Sequence, residues 1–266
     1  MDLSQIIIIS VLQGIIEWLP ISSQGNIIII MSEVFDYNIE NALKLSIILH
    51  LGTVISASIY FRNEIFHIVV NLRNYKFGHS TEYNSLTTFI ILSTLSSSII
   101  GFIIFSSLLE ISGNVLFTSI IGLGLIITGI IQKTIKSDLK NERNLDNKIA
   151  IATGILQGFA AIPGISRSGI TTSYLLFSRF SPSTSLKLSF MMSIPAVLAA
   201  NLFILFGEGI QDLKFIELVI AVAFSCISGL ISISSFMKIA QKIRFWIFSI
   251  VVGGLLLIPY LLDIVS

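Results

Sequence analysis

The sequence predicts an all-α polytopic membrane protein with about six spanning helices and two re-entrant helix–loop–helix regions in an inverted-topology repeat. Three observations carry that expectation. The first is composition: of 266 residues, 54% are hydrophobic and 12% charged, with a mean hydropathy of +0.92, too apolar for an ordinary soluble domain and too long for one anchor. The second is the length of the apolar stretches, several of which reach the roughly 20 residues that a spanning helix needs. The third is an internal echo, described below, that divides the chain into two units.

Taken in order, the first apolar region, about 3–34, is broken in its middle by "LPISSQGN", where proline, serine and glycine interrupt a helix. Clean spans follow at roughly 41–61, 86–108 and 114–132. A second apolar region, 149–178, is broken in the same way by "IPGISRSG", and three more spans follow at roughly 183–205, 214–237 and 245–263. Asp2 precedes the first apolar run, with no basic cluster or small-residue cleavage site, so a removable signal peptide is not expected.

The echo joins "LQGIIEWLPISSQG" (12–25) to "LQGFAAIPGISRSG" (156–169) at an offset of 144, and "LKLS" recurs at 43–46 and 186–189. The chain therefore reads as a single membrane domain, 1–266, built from units of approximately 1–140 and 141–266. Each unit holds one interrupted region and three spans, and an odd number of spans inverts the second unit if the interrupted regions return to the side they entered from. Charge agrees with that map. Arg62, Arg73, Lys76, the basic stretch from Lys133 to Lys148, Arg179 and the stretch from Lys238 to Arg244 fall on one side, whereas Asp2, Glu33, Asp36, Glu40, Glu110, Glu208, Asp212 and Asp263 fall on the other. The positive-inside rule makes the basic side cytoplasmic and puts both termini outside a multi-pass plasma-membrane protein. The net charge of +1 offers no support for nucleic-acid binding. The single cysteine, Cys226, excludes an internal disulfide and reads as a small core residue.

Broken helices in inverted repeats meet near the midplane, where irregular backbone is tolerated only against protein or a cavity. The two Ser/Gly loops are therefore expected to face one another. "PGISRSGITT" brings Arg167 together with hydroxyls from Ser166, Ser168, Thr171 and Thr172 and two glycines. A guanidinium among hydroxyls and free backbone N–H groups suits a phosphate. The bland reading is that Arg167 pairs with an internal carboxylate while Pro-Gly kinks a helix. The first loop brings Gln13 and Glu17, four apart on one helical face, then Ser22, Ser23, Gln24, Gly25 and Asn26. Glu17 is a candidate acid, base or metal ligand, or simply the partner of Arg167. Trp18 reads as a packing or interfacial residue.

These two stretches resemble the paired signatures of the undecaprenyl-diphosphate phosphatase family of integral membrane enzymes, often called BacA-type: Glu/Gln-xxx-Glu followed by Ser-Ser, then Pro-Gly-x-Ser-Arg-Ser-Gly-x-Thr. The likeness extends to motif order, separation and length, and so covers nearly the whole chain. It implies hydrolysis of a polyprenyl diphosphate to the monophosphate, recycling a lipid carrier for envelope glycan synthesis. It implies one diphosphate site containing Gln13, Glu17, Ser22, Ser23, Ser166, Arg167, Ser168 and Thr171, and usually the aid of a divalent cation, Mg2+ or Ca2+; Glu17, with Gln13, is the candidate to bind that cation or else to take a proton. Many members carry histidine after Ser-Ser-x-Gly, where this chain has Asn26, an amide that hydrogen-bonds phosphate but accepts no proton at neutral pH. His50, in "LKLSIILHLGT", is the other candidate for proton relay, although a lone histidine in an apolar helix is more often a packing residue. His67 and His79 fall in a polar connection and read as solvated.

The expected catalytic residues are thus Glu17, Ser23 and Arg167, with Ser22, Asn26, Ser166, Ser168 and Thr171 around the phosphate. Ser23 and an activated water compete as nucleophile. The alternative function is a polyprenyl-phosphate transporter or flippase, because inverted repeats with broken helices also serve alternating access; a lipid-binding scaffold is a third. A homodimer stays open at this level.

Overall fold

A computed structural model describes residues 1–77, 81–111, 115–134, 144–206, 213–239 and 245–265. His79, Lys136, Lys140, Arg143, Glu208, Asp212, Lys242 and Arg244 lie outside the described residues. The described chain is all α, with helices α1 (Leu3–Ile16), α2 (Ser23–Ile29), α3 (Ile39–Tyr60), α4 (Arg62–Leu72), α5 (Glu82–Ile111), α6 (Val115–Thr134), α7 (Asn147–Phe159), α8 (Arg167–Phe177), α9 (Pro182–Phe206), α10 (Phe215–Ile239) and α11 (Phe245–Val265). A π-helical turn, Ile30–Val34, continues α2.

Among the described residues, stretches of α3, α5, α6, α9 and α10 are long and apolar enough to cross a membrane. The sixth expected span corresponds to α11, 21 residues long. The two interrupted regions each become a pair of short helices. At 1.5 Å per residue, α1 with 14 residues and α7 with 13 reach only about 20 Å, short of the roughly 30 Å hydrocarbon core. A capping box starts α1, with the Asp2 carboxylate accepting from Gln5 N at 2.8 Å and the Gln5 side chain accepting from Asp2 N at 2.9 Å. Asp146 caps α7 by accepting from Ile149 N at 2.8 Å.

Packing crosses between the two halves of the sequence. Helix α1 lies on α10, α7 lies on α5, and α6 pairs with α11. Small residues allow the close approach: a Cβ on Gly14 would strike Ser228 of α10, and one on Gly154 would strike Ser96 of α5. The α3 helix is the most enclosed of the spans, with 67% of its apolar window buried, and it packs on α10 and α9. Trp18 is a packing residue, buried edge-on to Phe190 at 5.2 Å, with Nε1 donating to Gly229 O at 3.1 Å. His67 is exposed and stacks on Tyr83, with 4.6 Å between ring centroids.

Candidate active site

The two loops that break the short helices meet. Pro20 removes a helix donor just beyond α1, the chain turns through Ser22 in the left-handed region at φ 57°, and α2 starts at Ser23. In the second loop Pro163 precedes Gly164 at φ 100°, and Ser166 then caps α8 by accepting from Gly169 N at 3.1 Å. Ser22 Oγ accepts from Gly164 N at 3.1 Å, joining the loops directly. A Cβ on Gly25 would come within 2.8 Å of the same nitrogen. Helix α6 supports both: Gln132 Nε2 donates to Pro20 O, while Thr128 Oγ1 accepts from Ser166 N at 2.9 Å and donates to Gly164 O at 3.3 Å.

At the junction sits Glu17, 4% exposed. Its Oε1 accepts from the Arg167 guanidinium, and its Oε2 accepts from Ser23 Oγ, from Gln13 Nε2 at 2.8 Å and faces His50 Nε2 at 3.1 Å. The ion pair anticipated as the bland reading of Glu17 and Arg167 is therefore present. Arg167 nevertheless keeps capacity for a ligand, because its second terminal nitrogen, buried, has no partner. His50 Nδ1 lies 2.6 Å from Ser46 O. A carbonyl only accepts, so that nitrogen carries the proton, and Nε2 is the ring atom turned to Glu17. The packing reading of His50 thus gives way to a place in the site.

A cavity of about 270 Å³ opens beside this cluster. Its lining combines polar residues, among them Glu17, Ser22, Ser23, His50, Ser166, Arg167 and Ser168, with apolar ones from α5 and α9, among them Phe102, Phe105, Ala196, Ala200 and Phe203. Two of the expected phosphate ligands do not line it. Asn26 directs its amide nitrogen at Ile21 O (2.7 Å) and Ser22 O (2.9 Å), closing the loop carbonyls. Thr171 Oγ1 donates to Arg167 O at 2.7 Å and meets Ser189 Oγ at 2.6 Å, fastening α8 to α9. Each side chain is instead taken up by backbone carbonyls about one helical turn back, Asn26 by those of Ile21 and Ser22 and Thr171 by that of Arg167. Gln13 is also behind the cavity wall, fully buried, with Oε1 unpartnered.

Three polar contributors escaped the sequence reading. Thr128 and Gln132, four apart on α6, buttress the loops, and Gln157 lines the cavity while donating to Ser97 Oγ at 3.1 Å. Their signal was available as polar residues at helical spacing inside apolar segments, and Gln157 matches Gln13 in the repeat.

The sequence profile of the family described as bacitracin resistance protein BacA matches residues 6–256. The chain belongs to the BacA family. Similar proteins include the undecaprenyl-diphosphatase of Methanococcoides burtonii, 37% identical over 262 residues and covering 96% of this chain and 97% of that protein. The undecaprenyl-diphosphatase of Haloarcula marismortui is 32% identical over 254 residues, 94% of each chain. That of Alkaliphilus metalliredigens is 32% identical over 260 residues, 91% of this chain and 92% of the relative. Membership covers nearly the whole chain, so both loops and the α5/α9 wall of the cavity fall within the family match.

Proposed function

We propose that this BacA-family chain is an undecaprenyl-diphosphatase, removing the terminal phosphate of a polyprenyl diphosphate. The observation that carries the proposal is the shared carboxylate: Glu17 accepts from the Ser23 hydroxyl and from Arg167, in the wall of a cavity that apolar residues of α5 and α9 also line. The diphosphate would lie against Arg167 and the hydroxyls of Ser22 and Ser166. Both hydroxyl oxygens accept from backbone amides, of Gly164 in the loop and Gly169 in the first turn of α8, which leaves their protons for phosphate oxygens. The N-terminus of α8 adds partial positive charge at the same place. The prenyl chain would follow the apolar wall of α5 and α9.

In the chemical step Ser23 Oγ attacks the terminal phosphorus and its proton passes to Glu17 Oε2. The bond from phosphorus to the bridging oxygen breaks, and the lipid monophosphate leaves with the electron pair. Water then hydrolyses the phosphoserine, releasing inorganic phosphate and regenerating Ser23. Arg167 stabilises charge on the transferred phosphoryl throughout. His50, held by Ser46 O, keeps the Glu17 carboxylate aimed at Ser23.

A divalent cation fits as a group completed by substrate. Among the described residues no cluster of three or more His, Cys, Asp or Glu forms a cation site, but Gln13 Oε1 is buried without a partner next to Glu17. Mg2+ is characteristically held by one or two protein oxygens plus phosphates and water, so Glu17, which lines the cavity, would hold it with the diphosphate, while Gln13, behind the wall, would steady Glu17; the cation would neutralise diphosphate charge.

The inverted repeat and its orientation, with both termini outside, belong to the same proposal. Their support is the one-sided basic residues and the matching exchange of α1 onto α10 and α7 onto α5. The deciding experiment is phosphate release by the purified protein from undecaprenyl diphosphate, with trapping of 32P on Ser23. Release without labelled serine would move attack to water; movement of intact lipid across sealed vesicles with no phosphate release would overturn the enzyme.

A further inference from the structure

Helix α4 has three distinct faces. At about 100° per residue, Arg62, Phe66, Val69 and Arg73 fall within about 60° of one another, with Val70 at the edge of that sector. Phe66, Val69 and Val70 are exposed, at 64%, 57% and 47%, so the sector is an apolar stripe between two exposed arginines, with exposed Lys76 just beyond. A second sector holds the exposed polar residues Asn63, His67 and Asn74. The third faces protein: Glu64 pairs with Lys187 of α9 at 2.8 Å, Ile65 and Ile68 pack on a buried cluster, and Asn71 donates to Asn84 of α5 at 3.1 Å.

The chain holds this helix at the ends of three candidate spanning helices. It begins directly after Phe61, the C-cap residue of spanning helix α3, and its inner face is bonded near the N-termini of two further spanning helices, to Asn84 of α5 and Lys187 of α9. An apolar stripe kept at that level and flanked by cations has the pattern of a helix lying in the lipid interface. We propose that α4 is an interfacial helix, with Phe66, Val69 and Val70 in the acyl-chain boundary and Arg62, Arg73 and Lys76 against anionic lipid headgroups. This surface is separate from the phosphate cavity, and holds whichever side of the membrane the end of α3 occupies.

The test uses the full chain with Cys226→Ala in nanodiscs of phosphatidylcholine and phosphatidylglycerol, with single cysteines at Val69→Cys or Asn63→Cys carrying a nitroxide. The label at 69 should collide preferentially with oxygen, and the label at 63 with a water-soluble nickel chelate. Equal, water-like accessibility at both would overturn the interfacial placement. For the headgroups, a fluorophore at 69 should be quenched at least twofold more by brominated phosphatidylglycerol than by an equal mole fraction of brominated phosphatidylcholine. Arg62→Gln with Arg73→Gln should bring that ratio close to one while phosphate release, which reports folding, persists. Equal quenching by the two lipids in the unaltered basic background, or an unchanged ratio in the double variant, would overturn the anionic preference.

Discussion

Arg167 serves two oxygens at once, one already present on Glu17 and one that a phosphate would bring. Arg167→Lys keeps the charge but loses the planar fork. Phosphate release should fall by the equivalent of about 2–4 kcal/mol of transition-state stabilisation, the range for deleting an electrostatic donor; near-full turnover would reduce Arg167 to a counter-ion. Glu17→Gln removes the acceptor of the Ser23 proton while keeping shape, so kcat should drop by several orders of magnitude, with the protein still folded by circular dichroism. His50→Ala should lower kcat about 10–100-fold, a typical cost of losing a partner that orients a working group. His50→Gln, whose amide can still reach Glu17, should recover part of it; no change in His50→Ala would exclude it from the site. Asn26 shows how much a residue's type leaves open. Its type suggested a phosphate ligand, but the chain reversal at Ser22 turns its amide onto two loop carbonyls, a consequence of backbone geometry that residue identity does not encode. Conversely, His50 looked isolated because its partner Glu17 is 33 residues earlier in the sequence. Only the packing of α3 beside the end of α1 makes them neighbours.

At the scale of elements, the loop contacts leave little room. Gly164 has φ 100°, and a Cβ there would collide with Ile121 O of α6. Gly164→Ala should destabilise the fold by at least about 1–3 kcal/mol, the usual cost of a strained left-handed residue, measurable as a lower midpoint of thermal unfolding in detergent. A variant as stable as its parent would mean that α6 is not seated on the loop as described. The spans and both breaks were legible because hydropathy and Pro/Gly punctuation act locally: the expected 183–205 and the observed Pro182–Phe206 differ by one residue at each end. Helix α4 was not separated from its connection, since its 11 residues alternate apolar and polar groups in three sectors rather than two. The support given by Thr128 and Gln132 was also missed. In an apolar span a threonine or glutamine can bond its own backbone or a neighbour, and sequence does not say which.

For the whole molecule, cysteines placed in 133–148 should label from the cytoplasm and those in 206–213 from outside; labelling of both from one side would sink the inverted arrangement. The cross-packing also has a consequence in time. Chains emerge from the ribosome N-terminus first, so α1 is made long before α10, on which it lies, and Glu17 exists for 150 residues of synthesis before Arg167 does. An acidic side chain without a partner is costly at membrane depth. The first hairpin should therefore wait near the water interface, or protonated, until the second half arrives. Its seat on α10 is completed only when Gly229, which receives the Trp18 indole, has been added. The proposed catalytic centre is then among the last parts of the protein to assemble, although its carboxylate is among the first to be translated. A nascent chain that stops before α10 would carry every residue of the phosphate site yet lack the helix on which α1 and Trp18 rest.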